Sequence, residues 1–377
     1  MSVHAKIHSI NFCRKFAVTS LFFLFPLRFL AIGFSGWQIG VVVSLFALSP
    51  LVIAFPTGWI NDRFSMAGII RGALLAQGLL LLLAAWTTNF FLVAFVFLFL
   101  GMANNALDVS MNSLYYKDER AMDQNRKFGV YSFWIGLGLA AGVFAGGLLM
   151  KLAGFKTAVA AFSALLLIVF LSTGRFDREK FRLVCFRDYR RNILRKKTLL
   201  FVLFVFILAL HWSVEGTVYS PFLARTFGLD SFAIAIYISA ALLLGALSAF
   251  LVGRLRFNIR ADRRLLPLAM LASGAGLILM VNSHYAVSLA FRILHEIGDG
   301  ALGALTVLFI SRLFEKDAIG GSAGIVISIQ VMGQMLGALV FAPLGFHFGL
   351  QYPFLICGGL IVLNALYGAV IFRRLEY

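Results

Sequence analysis

The sequence predicts an all-α polytopic membrane protein, with twelve transmembrane helices arranged as two pseudo-symmetric six-helix halves. Three observations lead there. Apolar windows of membrane length recur along the chain, basic residues crowd every second loop, and the second half repeats the first at a fixed offset.

Composition sets the class. Of 377 residues, 61% are hydrophobic, 13% are charged and 40 are Phe, and the mean hydropathy is +0.93. A soluble domain of that size has too little interior to hide so much apolar surface. Windows of about 18–25 apolar residues match the helix length that crosses a bilayer. They fall at 13–33, 37–57, 68–86, 90–113, 128–150, 156–174, 198–222, 232–252, 265–283, 285–311, 324–345 and 352–372. No small-residue cleavage site follows the first window and another span begins at once, which argues against a cleaved signal peptide.

Charge orients these spans. A formal net charge of +17 on a soluble chain would suggest nucleic acid. Here 28 of the 33 Lys and Arg lie at the termini and in loops after even-numbered spans. Lys151, Lys156 and Arg225 lie on the opposite side, and Arg28 and Arg292 fall inside spans. The positive-inside rule then places both termini in the cytoplasm of a plasma (inner) membrane, with the basic residues beside anionic headgroups. The expected partners are the lipid bilayer and a small-molecule substrate, with no nucleic acid. Cys13, Cys185 and Cys357 are few, odd in number and scattered, so no disulfide framework is expected.

The longest polar segment, GRFDREKFRLVCFRDYRRNILRKK, divides the chain. It separates an N-terminal half (1–174) from a C-terminal half (198–377), with 175–197 as a basic, membrane-hugging linker. At an offset of 195, Pro26 falls on Pro221, Gly33 on Gly228, Ser44 on Ser239, Phe55 on Phe250 and Gly58 on Gly253. The same register later pairs Gly129 with Gly324, Gly138 with Gly333, Gly142 with Gly337 and Gly154 with Gly349. Two parallel repeats of six helices are the signature of one large transporter architecture.

Local motifs agree. GWINDRFSMA after span 2 sets Gly58, Asp62 and Arg63 in the frame G-x-x-x-D-R-x-G-R-R, with Ser65, Met66 and Ala67 replacing its last Gly and basic pair. The equivalent loop, GRLRFNIRADRR, keeps Gly253 but has Phe257 in place of Asp. Span 5 carries Gly129, Gly138, Gly142, Gly146 and Gly147 at the glycines of G-x8-G-x3-G-P-x2-G-G, with Val143 at the proline. Such spacing lets helices approach closely in lipid. On these motifs the chain resembles the major facilitator superfamily over nearly its whole length. The resemblance implies that family's fold, alternating access, a Gly58–Asp62–Arg63 latch between halves and a monomer. It implies no cofactor, with a proton gradient as the energy source, and places spans 1, 4, 7 and 10 around a central cavity. Many proton-coupled members carry an Arg in span 4 where this chain has Phe97; at the repeat offset Phe97 falls on Arg292.

Charges well inside the spans sit on those four. They are Arg28 in span 1, Asp108 in span 4, His211 and Glu215 in span 7, and Arg292, His295, Glu296 and Asp299 in span 10. A charge at the bilayer centre costs about 2.5–3.5 kcal/mol on insertion scales, so such groups face water or one another. Arg292 and Glu296 are four apart, as are His295 and Asp299, which lets pairs form along one helix. Glu296 or Asp299 is the expected proton carrier, modulated by Arg292, with Glu215 as second choice. The alternative is a static network that fixes helix positions. Arg28, Asn104, Asp108, Asn112, His211, Glu215 and His295 are the expected substrate-cavity residues. Asp108 fits a gate as well as a binding role, and Arg28 fits either an anionic substrate group or a snorkelling contact.

Direction has two readings. The span 5 glycines resemble those of drug–proton antiporters and argue for export. The D-V-S-M-N run from Asp108 to Asn112 resembles fucose-type sugar–proton symporters and argues for import of a polar metabolite. A passive facilitator and a solute sensor are further alternatives. His295-Glu296-Ile297-Gly298-Asp299 resembles the zinc-protease H-E-x-x-H, but Arg292 one turn away repels a dication, and no metal is expected. No Walker-type phosphate loop is present, so the chain alone is not an ATP-driven pump. The favoured expectation is proton-coupled export of a small organic solute, not an enzyme.

Overall fold

The computed structural model describes residues 3–117, 124–173, 186–255, 259–315 and 318–374. Helices make up these segments, and no strand occurs among the described residues. Among the described residues nine helices are long and apolar enough to cross a membrane, and a pair bent by 42° (Ala5–Phe23 and Phe25–Ala31), taken as one span, makes ten. Span 1 comprises Val3–Ala17, a 3-10 turn at Thr19–Phe23, and Phe25–Ala31. Spans 2, 3 and 4 are Gly36–Asn61, Ala67–Trp86 and Phe90–Lys117. Gln124–Ser172 is a continuous run interrupted at Gly154 (φ 81°, ψ 168°). Residues eight before and eight after it touch, a Cβ on Gly146 lying 3.5 Å from the Phe162 ring. The run therefore folds back at Gly154 and holds spans 5 and 6.

The second half follows the same plan. Span 7 is Lys196–Thr217 with Tyr219–Phe227, and spans 8 to 12 are Ser231–Arg254, Ile259–Leu279, Tyr285–Leu313, Ile319–Phe348 and Tyr352–Arg374. Of the linker, 175–185, which includes Cys185, lies outside the described residues, as does Phe257, and Phe186–Ile193 forms a short helix. The twelve expected windows fall on these helices, with two adjustments. Span 1 starts at Val3 rather than at residue 13, because a helix carrying polar groups continues ahead of the apolar window. Span 7 breaks at Val218 rather than running straight.

The repeat is visible in the backbone. Among the described residues four have positive φ, and all are glycines: Gly33, Gly154, Gly228 and Gly349. They form two pairs 195 apart, each permitting a left-handed turn that a side chain would strain. Ser35 caps span 2, accepting from Gln38 N at 3.3 Å, and Asp230, its counterpart, caps span 8 by accepting from Ala233 N at 2.7 Å. Spans 1 and 7 both break just before a proline, Pro26 and Pro221.

The halves meet along two helix pairs. Gly129 packs on Gly253 and Gly147 on Ala235, joining span 5 to span 8. The counterpart pair joins span 11 to span 2, with Gly324 against Ala54 and Gly40 against Ala342. Bulky apolar side chains such as Phe91, Leu152 and Leu171 remain exposed on the outside, where lipid is their solvent.

Candidate functional site

Span 10 carries the centre of the site. Its four ionisable side chains point into protein: Arg292 and His295 are fully buried and Glu296 is 6% exposed. Two glycines bring neighbouring helices close enough to enclose them. A Cβ on Gly298 would overlap Ala269 O of span 9, and one on Gly300 would overlap Gly245 O of span 8. A Cβ on Gly303 would meet no other side chain or helix within 4 Å. From span 9, Gly276 receives the span 10 backbone, His295 N lying 2.5 Å from a Cβ placed there.

Span 7 supplies the partners. Arg292 Nη2 lies 2.6 Å from Glu215 Oε1 and also pairs with Glu296 Oε1 one turn along its own helix. The guanidinium sits 4.4 Å from the Tyr219 ring centroid, a cation–π contact made just past the break in span 7. Arg292 Nε and Nη1 have no hydrogen-bond partner among the described residues. Asp299 accepts from Trp212 Nε1 at 3.1 Å and from Ser273 Oγ at 2.8 Å.

Two imidazoles complete this arrangement. His211 Nδ1 contacts the Leu208 carbonyl, while its Nε2 lies 2.9 Å from Asp299 Oδ2. His295 Nδ1 lies 2.8 Å from the Ser273 carbonyl, while its Nε2 lies 3.2 Å from Glu215 Oε1. A neutral imidazole has one N–H, yet each ring faces an acceptor at both nitrogens. A neutral ring can donate to only one of them, so each histidine offers a place for one further proton. With neutral rings, Arg292 and three carboxylates carry a net charge of about two negatives, which low dielectric penalises heavily.

The same donors can take a cation. His211, His295 and Asp299 offer ligand atoms within 4.8 Å of one another, as do Glu215, His295 and Glu296. Arg292 occupies the second set. A metal in the first would have to displace a proton and the histidine–carboxylate bond.

A second cluster lies in the N-terminal half. Asp108 Oδ1 pairs with Arg14 Nη2 at 2.5 Å and with Lys15 Nζ at 3.6 Å. Asn104 Nδ2 donates to Asp108 Oδ2 at 3.1 Å, and the Tyr131 hydroxyl donates to Asn112 Oδ1. By sequence, Arg14 and Lys15 count among the cytoplasmic basic residues of the N-terminus. Their burial corrects that: Arg14 is fully buried, about three turns into the helix that starts at Val3. The signal was present, since Asn11, Arg14 and Lys15 share a helix face. Ser273 and Trp212, being uncharged, left none. Arg28 stands apart, its guanidinium 5.4 Å from the Phe155 ring centroid, and no ion pair joins it to either cluster among the described residues.

The loop after span 2 reaches the other half. Asp62 Oδ2 accepts from Gly321 N, in the first turn of span 11, at 2.9 Å, and Asp62 Oδ1 pairs with Lys117 Nζ at 2.8 Å. The carboxylate thus sits at a helix N-terminus, where the dipole favours it. Gly58 clears the way for Gly320, and Arg63 stacks on Trp59 at 4.1 Å. Of the span 5 glycines, Gly138 and Gly142 face the span 1 backbone at Phe12 and Phe16, Gly146 faces Leu24, and Gly129 and Gly147 face span 8.

The family model described as Major Facilitator Superfamily matches residues 7–257 and 201–376. The chain belongs to the major facilitator superfamily. No curated protein sequence matches it. In fold it is similar to the human organic anion transporter MFSD10 (TETRAN), with TM-score 0.76 and 15% identity over 98% of this chain and 100% of that one. It is also similar to the nucleoside transporter NupG, with TM-score 0.74 and 17% identity over 99% of this chain and 100% of that one. Membership makes it an integral membrane protein of a secondary-transporter family with a small-molecule substrate.

Proposed function

We propose that the protein is a proton-coupled secondary transporter of a small polar or zwitterionic organic solute, with the span 7–span 10 cluster as its proton site. The observation that supports this is the pair of buried imidazoles, each facing a carbonyl on one side and a carboxylate on the other, which gives a proton two places to sit on each ring. Arg292 bridges Glu215 and Glu296 and can exchange either for a bound solute, which changes how tightly each carboxylate keeps a proton. Alternating access then follows from rocking of the two halves about this midplane site.

Export by antiport is the favoured direction, supported by the span 5 glycine pattern. Import by symport is the second reading, supported by the Asp108-to-Asn112 run. The basic loops support cytoplasmic termini in a plasma (inner) membrane, and the chain works as a monomer. A thermal-shift screen of purified protein against sugars, nucleosides, amino acids and cationic drugs tests the proposal. It would be run at about pH 5.5 and about pH 7.5, either side of the histidine range. A hit at about 100 times its dissociation constant stabilises the folded state by roughly 2.7 kcal/mol. The expected hit depends on pH in the wild type and loses that dependence in Glu296→Gln or Asp299→Asn. Hits indifferent to pH and to both substitutions would make the cluster a structural brace.

A further inference from the structure

The groups around Asp108 carry more positive charge than one carboxylate balances. Arg14 and Lys15 share Asp108 Oδ1, so two cations face one anion. Arg14 Nε donates to Asn11 Oδ1 at 2.8 Å, which commits the amide oxygen and leaves the amide nitrogen to donate elsewhere. Arg14 Nη1 and Asn11 Nδ2 are buried and have no hydrogen-bond partner among the described residues. Asn104 and Tyr131 hold Asp108 and Asn112 from the other sides. The cluster is not sealed: the side chains of Lys15 and Asp108 stay 14% and 21% exposed. Buried donors without acceptors are costly, and so is a buried excess charge. Both costs vanish when a second anion arrives.

We propose that Asn11, Arg14 and Lys15 form an anion subsite that takes the carboxylate of the transported solute, with Asp108 fixing the guanidinium. This rests on the transporter reading but not on the proton site, since no residue is shared between the two clusters. Asp108 sets the pose of Arg14 through one Nη, and the other Nη, Asn11 Nδ2 and Lys15 Nζ offer donors that a carboxylate oxygen accepts. A neutral amide of the same shape lacks the negative charge that Arg14 and Lys15 attract.

Matched pairs test this on the full-length protein in detergent: benzoate and benzamide, lactate and lactamide, nicotinate and nicotinamide, succinate and succinamide. Thermal shift against concentration gives an apparent affinity for each. At least one carboxylate should outbind its amide by about tenfold or more, the discrimination of one charge-assisted hydrogen bond. Arg14→Gln alone strands Asp108, so the neutral pair Arg14→Gln with Asp108→Asn is the decisive variant. It should bring the ratio close to one, while Arg14→Lys keeps part of it. If no carboxylate outbinds its amide, or if the preference survives in the neutral pair, the subsite is overturned. A carboxylate preference without pH dependence upholds the subsite and overturns the proton reading. Binding that depends on pH without a carboxylate preference does the reverse.

Discussion

At the residue scale the account rests on which charges depend on others. Arg292 is the only Arg or Lys side chain touching Glu215 and Glu296 among the described residues. Arg292→Gln should therefore cost more stability than Glu296→Gln, about 3–5 kcal/mol, because it leaves buried carboxylates unpaired. Unfolding midpoints of the purified variants check the order, and equal midpoints would contradict it. The charged members of this cluster were legible in the sequence, because charges in apolar runs stand out. Their pairing was not, because it depends on the rotation of span 7 against span 10. Arg14 was hidden for a different reason: it stands at the very edge of the apolar window that begins at Cys13, so a buried cation counted with the basic residues of the N-terminus.

At the scale of elements, glycines divide into those that admit a neighbour and those that do not. A Cβ at Gly142 overlaps the Phe16 carbonyl of span 1. Gly142→Ala should destabilise by about 1–3 kcal/mol, the usual cost of overpacking. A Cβ on Gly303 enters open space, so Gly303→Ala should be neutral or stabilising by up to about 1 kcal/mol from helix propensity. Comparing the two variants' unfolding midpoints separates packing from propensity, and a Gly142→Ala protein as stable as wild type would refute the packing role. The span 5 motif thus reads structurally as two faces, one for span 1 and one for span 8. Span boundaries were mostly legible from hydropathy. The breaks in spans 1 and 7 were signalled by Pro26 and Pro221 but not placed, since proline is tolerated inside membrane helices where neighbours satisfy the backbone.

At the scale of the whole molecule the two halves are in contact at both ends. Gly58–Gly320 and Gly129–Gly253 join one end, while Gly147–Ala235, Gly36–Phe346 and the Ser220–Phe23 bond join the other. Both gates are closed, and a transport cycle must open them in turn. Asp62 links span 2 to the first turn of span 11 and to Lys117, so Asp62→Asn should favour opening of that end. The readout is maleimide labelling of Ser328→Cys, buried beside Pro50 O at the same interface, in a background without other cysteines. Labelling should rise about fivefold, the equivalent of roughly 1 kcal/mol of lost charge–dipole attraction. The repeat foretold this two-sided symmetry, while the closed state itself had no sequence signal. The most direct test of the central claim is proton movement in proteoliposomes holding a pH-sensitive dye. Candidate solutes would be added to wild-type protein and to Glu296→Gln with Asp299→Asn. The account predicts that a transported solute changes the internal pH with the wild type and not with the double variant. Solute flux at the same rate in both, with no dye response, would contradict it.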